Sequence, residues 1–164
     1  MANETNLKDA TGQYRGRTAA LVQSLVQTLT AQRDLYLQLA TLARQQSECI
    51  ANGASEDLMR ILAARGRLID QLAPLDQQLQ PYKDRWQQVL ADLAEPDRNQ
   101  VSMLLTQVQQ LLSDLLEQDD ADRQTLLRQK TEVSEQLSRT VTGSQLNRAY
   151  GVKRKPPTPG MGIG

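Results

Sequence analysis

The stretch LATLARQQSECIANGASEDLMRIL, residues 39–62, holds the end of one helix and the start of another, and its reading decides the fold. Leu39, Leu42 and Ile50 recur at helical spacing up to Asn52-Gly53, where glycine supplies the left-handed conformation that closes a helix C-terminus. Ser55 then offers an N-cap oxygen, and Glu56 and Asp57 bring two carboxylates to the positive end of the next helix. So short a connection folds the chain back on itself as a tight helical hairpin.

Upstream, Leu21, Leu25, Leu29 and Tyr36 extend the same apolar stripe back to a helix start near Arg17. Residues 1–16 are polar and lack an apolar period, so they are expected to form a disordered arm. Downstream, the second helix carries Leu58, Ile61, Leu62, Leu68, Ile69, Leu72, Leu75, Leu79, Tyr82, Trp86, Val89, Leu90 and Leu93. Pro74 and Pro81 each lack a donor and crowd the preceding turn, which predicts a kink or short break near both. Glu95-Pro96-Asp97 reads as a second turn, with Pro96 in the first helical position. A third helix then runs to about Val141 along the seam Leu104, Val108, Leu111, Leu115, Asp119, Asp122, Leu126, Val133, Leu137 and Val141. Doubled leucines such as Leu111-Leu112 and Leu126-Leu127 widen that face beyond what one neighbouring helix covers. The expected fold is therefore all-α, an elongated antiparallel bundle of three long helices over 17–143 with the second kinked at its prolines. Residues 144–164 form a flexible Gly/Pro-rich tail in this reading.

Composition narrows the functions. Hydrophobic residues make up 39% of the chain while aromatics make up 3% and Phe is missing, which suits seams of Leu, Val, Ile and Ala. Nineteen basic residues are balanced by 19 acidic ones, so no net field draws the chain to nucleic acid or to an anionic membrane. The lack of His removes the commonest general base and transition-metal ligand, and a lone cysteine, Cys49, precludes an intramolecular disulfide or a thiolate zinc cage. No enzyme, cofactor or metal is expected. The sequence contains neither a signal-peptide core nor a run near the roughly 20 apolar residues of a membrane span, so a cytoplasmic protein is expected.

Individual constellations carry little chemistry. Asp114, Glu117, Asp119, Asp120 and Asp122 lack the Glu-x-x-His element of carboxylate metal bundles, so they read as ordinary surface acids. Asp119 and Asp122 nevertheless fall on the apolar seam. Two readings stay open: a polar layer that fixes register, facing Arg33 or Arg44 from the first helix and Arg65 or Arg67 from the second, or a solvent-facing break. Lys153-Arg154-Lys155 is too short a basic run to define a ligand, and Tyr82 with Trp86 reads as core before binding face.

Three segments carry a family likeness: LATLARQQSECIANGASEDLMRIL, then ARGRLIDQL at residues 64–72, then EQDDADRQTLLRQKTEVSEQL at 117–137 followed by Ala149-Tyr150-Gly151. Over Thr18 to Gly151 the pattern resembles the FlgN family of flagellar export chaperones, cytoplasmic helical proteins that escort hook-associated proteins to the type III export gate. The two prolines of the second helix and the KRKPPTPGMGIG tail depart from the family pattern. The resemblance implies a chaperone that binds the C-terminal amphipathic segment of an exported protein and hands it to the gate, with Tyr150 as a gate contact. Helix-in-groove recognition needs surplus apolar surface, which places the client site on Leu126, Val133, Leu137 and Val141. A structural coiled-coil scaffold or adaptor, including a homo-oligomer, explains the same stripe. An all-helical enzyme requires Arg65 or Arg67 to turn into an enclosed pocket.

Overall fold

A computed structural model describes residues 3–151, with side chains over 9–143. The described residues form four α-helices and no strand: α1 (Asn3–Asn52), α2 (Ser55–Leu79), α3 (Trp86–Ala91) and α4 (Glu95–Gly151), with a 3-10 turn at Gln80–Tyr82 between α2 and α3. Two units divide the chain, Met1–Asp122 and Arg123–Gly164.

The first unit contains the hairpin. Gly53 adopts φ 66°, the Gly53 N–H donates to the Ile50 carbonyl at 3.3 Å, and the Ala54 N–H donates to that of Cys49 at 2.9 Å. These two bonds close the end of α1 in the glycine-dependent manner expected. Ser55 differs from expectation: it is the first residue of α2, and the cap position falls to Ala54, which makes no side-chain capping bond. The acidic start formed by Glu56 and Asp57 then carries the favourable interaction with the helix dipole. Bonds from Thr28 to Gln78 at 2.9 Å and from Gln32 to Asp76 at 2.7 Å, with Gln46 meeting Arg65, show partner numbers falling along α2 as they rise along α1. The two helices are antiparallel.

The second helix, expected to kink or break near both prolines, is instead two helices, so the described residues hold four helices where three were expected. The chain passes through Pro74 within α2, then leaves the α-helix at Leu79 and takes a 3-10 turn containing Pro81 before α3. Both prolines are exposed, as are the residues four before them, so exposure alone does not separate the two outcomes. Pro74 and Asp70, whose carbonyl Pro74 cannot serve, both face solvent, where water replaces the lost bond. At Pro81 the chain is in a 3-10 turn, and Leu79 before it and Tyr82 and Trp86 after it all pack on the first cluster. The ends of this connection are tied down by Arg98, whose guanidinium donates to the carbonyls of Leu90 and Leu93 at 2.9 Å. Pro96 is the second residue of α4, still in the first turn where its missing donor is harmless. α1 begins at Asn3, upstream of the start near Arg17 marked by the apolar spacing, and α4 continues past Val141 to Gly151. Residues 152–164 of the expected tail lie outside the described residues.

Two apolar clusters hold this unit. One joins Val22, Leu25 and Leu29 of α1 to Leu79, Leu93, Val101 and Leu104, with Tyr82, Trp86, Val89 and Leu90 packed at its edge. The other joins Leu35, Tyr36, Leu39 and Ala43 of α1 to Leu72 of α2 and to Val108 and Leu115 of α4. Burial, with the Asp76 carboxylate nearby, raises the Tyr36 phenol above its ordinary value. Leu29 and Val101 are fully enclosed, so shortening either removes contacts on every side. Leu29→Ala is expected to cost about 2 to 5 kcal/mol in urea unfolding, whereas Met59→Ala, at an exposed position, is expected to stay within about 0.5 kcal/mol.

Candidate functional site

Beyond the second apolar cluster, the first unit ends in a polar layer drawn from three helices. Arg65 of α2 has a side chain only 9% exposed, and its Nη1 and Nη2 donate to Asp119 Oδ1 and Oδ2 of α4, each at 2.7 Å. Its Nη1 also donates to Gln46 Oε1 of α1. Gln46 Nε2 donates in turn to Asp122 Oδ2 at 2.7 Å, and the Ser47 hydroxyl donates to Asp122 Oδ1 at 2.7 Å. Gln118 Nε2 donates to Ser47 Oγ at 2.7 Å. Asp122 is buried and Asp119 is partly exposed. A bidentate guanidinium–carboxylate pair fixes orientation as well as distance, so this geometry constrains both the rotation and the axial position of α4.

Of the four arginines considered from sequence, Arg65 reaches Asp119, while Arg33 pairs with its neighbour Asp34 on the surface at 3.0 Å. Gln46, Ser47 and Gln118 went unnamed, although Gln46 carried the same signal as the two aspartates. It follows Ala43 by three residues and precedes Ile50 by four, placing a polar side chain on the buried stripe of α1.

The second unit provides a contrasting surface. Leu126, Val133, Leu137 and Val141 are 43%, 61%, 64% and 49% exposed, and Leu127 is also exposed. The periodicity that buries Leu104, Val108 and Leu115 thus continues after Asp122 without cover among the described residues. Contiguous exposed apolar surface of this kind marks sites of association more often than isolated exposed leucines do. Tyr150 belongs to α4 by backbone, but its side chain lies outside the described residues.

The remaining candidates resolve differently. Tyr82 and Trp86 lie with ring centroids 6.0 Å apart and pack against the first cluster. Arg65 turns to Asp119 rather than into a cavity. Arg67 lines an open groove of about 440 Å³ between α1 and α2, with Gln38, Thr41, Leu42, Ala64, Leu68 and Gln71 and no acidic partner in the lining. A second groove of about 360 Å³ runs between the α1 residues Tyr14, Arg17 and Leu21 and the connecting residues Tyr82, Arg85 and Val89. Among the described residues no helix is long and apolar enough to cross a membrane.

A family model described as FlgN protein matches residues 21–158, which includes both the polar layer and the exposed stripe. Neither a curated protein nor a solved structure gives a significant match.

The polar layer supports a direct test. Arg65→Met leaves Asp119 and the Gln46 carbonyl without their cation and is expected to cost about 1 to 3 kcal/mol, between the values for exposed and buried pairs. Adding Asp119→Leu is expected to recover most of that loss in urea unfolding, since the stranded carboxylate is then gone. Strictly additive losses would show that the two side chains are not coupled.

Proposed function

The chain belongs to the FlgN family, and from that membership we propose that it is a cytoplasmic flagellar type III export chaperone that binds the C-terminal amphipathic segment of hook-associated proteins. Its work is binding and delivery to the export gate, with no catalytic step. The observation that carries this reading is the stripe Leu126, Val133, Leu137 and Val141, which keeps the apolar period of α4 while remaining exposed. We read α1, α2 and the α4 residues up to Asp122 as an up-down-up bundle that anchors this helix. Its support lies in the two clusters and in the polar layer, each of which draws on α1, α2 and α4.

A client helix laid along the stripe removes apolar surface from water on both partners. Full burial of a Leu or Val is worth about 1.5 to 3 kcal/mol, and these residues still expose about half of their surface, so the stripe itself contributes roughly 3 to 6 kcal/mol. The client's own apolar face adds a comparable amount, against several kcal/mol for lost freedom on association. Such a balance gives reversible capture, which suits a chaperone that must release its cargo at the gate.

The joint replacement Val133→Asp and Leu137→Asp is expected to abolish binding of a hook-associated protein's C-terminal segment while leaving the thermal melt near wild type, because both positions face solvent. Loss of the fold, or unchanged affinity, would show that the stripe is not the client face. The groove beside Tyr82 would then be the next candidate. For Tyr150, the expected outcome of Tyr150→Ala is lost secretion with retained client binding; normal secretion would remove it from the gate contact.

A further inference from the structure

Resting on the client-binding reading of the same helix, we propose that Lys130 is a specificity determinant, and that the segment docking on the stripe is an amphipathic helix carrying a carboxylate within its apolar seam opposite this lysine. Leu126, Lys130, Val133, Leu137 and Val141 advance by steps of three and four, so at about 100° per residue Lys130 falls within the stripe itself and not at its margin. Its side chain is exposed, and no ion pair among the described residues involves it.

Spacing explains why the charge stays available. The helix positions that can reach Lys130 are three and four residues away, and they hold Leu126, Leu127, Val133 and Ser134, none of them acidic. On the opposite face the sequence sets opposite charges four residues apart, Arg128 with Glu132 and Glu135 with Arg139, within reach of pairing although Arg128 donates to Thr125 in this structure. Of the charged residues in 126–141, Lys130 alone has no oppositely charged residue three or four positions away, and it sits in the middle of the apolar stripe.

A partner that covers Leu126, Val133 and Leu137 must also cover the ammonium between them. Covering it with hydrocarbon strands a cation away from water, whereas a Glu or Asp at the facing position pairs it. A lone lysine at a seam position is a known way to select partner and register. The same feature argues against a second copy of this chain in parallel register, which sets Lys130 against Lys130. A partner with an acidic seam residue is complementary; a purely apolar helix of the same shape is rejected.

The test uses the full chain and the purified C-terminal segment of a hook-associated protein, with affinity read by fluorescence anisotropy at low and high salt. Lys130→Met is expected to weaken binding about tenfold and to remove most of its salt dependence, and Lys130→Glu to weaken it further by repulsion. Helicity is expected to remain unchanged in both variants. Wild-type affinity and salt response in Lys130→Met, with binding still abolished by Val133→Asp/Leu137→Asp, would overturn the role of Lys130 and leave the chaperone reading standing. If the aspartate pair also leaves binding unchanged, or the segment does not bind the wild-type chain, the client site falls and this inference with it. A wild-type dimer in sedimentation that the aspartate pair dissociates would assign the stripe to a second copy and overturn the proposal.

Discussion

Arg65 carries a fixed positive charge at a position from which water is largely excluded, and a guanidinium so placed must be given acceptors on more than one side. α4 supplies the Asp119 carboxylate and α1 supplies the Gln46 carbonyl, and the Gln46 amide N–H then donates to Asp122. Because Asp119 and Asp122 stand three residues apart and answer to different helices, only one rotation and one axial position of α4 satisfies both. Shifting α4 by a heptad in either direction brings Leu112 or Leu126 where Asp119 stands and leaves the guanidinium unpaired. An apolar layer at this level would hold the helices together as strongly without choosing among registers.

The apolar clusters supply what the polar layer lacks. Leu25, Leu29, Leu39 and Val101 are almost wholly removed from water and, with the rest of the two clusters, draw the helices together, but apolar seams specify register weakly. The connection from α2 to α4 is held by local chemistry of another kind. Arg98 donates to the carbonyls of Leu90 and Leu93 where α3 ends, and Tyr82 and Trp86 fill the edge of the first cluster. Attraction, register and chain path thus rest on different residues.

Past Asp122 the helix continues with the same apolar period, and its apolar side chains at Leu126, Val133, Leu137 and Val141 are exposed among the described residues. That contrast ties the architecture to the function of an export chaperone. In the proposed reading the exposed stripe is the face left to a transient partner, and Lys130 within it discriminates among the helices that present themselves. Sites on a rigid element are positioned more accurately than sites on loops, because the helix backbone fixes the spacing of its anchors.

Much of this was legible in the residues. The 3.6-residue period and the lack of sheet signals dictated an all-helical chain, Gly53 with the acids after it dictated the hairpin, and aspartates on the seam pointed to an interruption of the apolar core. Periodicity states which side chains share a face, since that depends on the helix alone. It does not state what lies against that face. Only the tertiary structure decided that the seam of α4 is buried as far as Asp122 and open at Leu126 and beyond, and that Arg65 rather than Arg33, Arg44 or Arg67 meets the acids. Only it decided that Pro74 is tolerated while the helix ends before Pro81. For the seam and the arginine the physical reason is shared: burial and pairing are set by neighbours distant in the chain, which local spacing cannot specify.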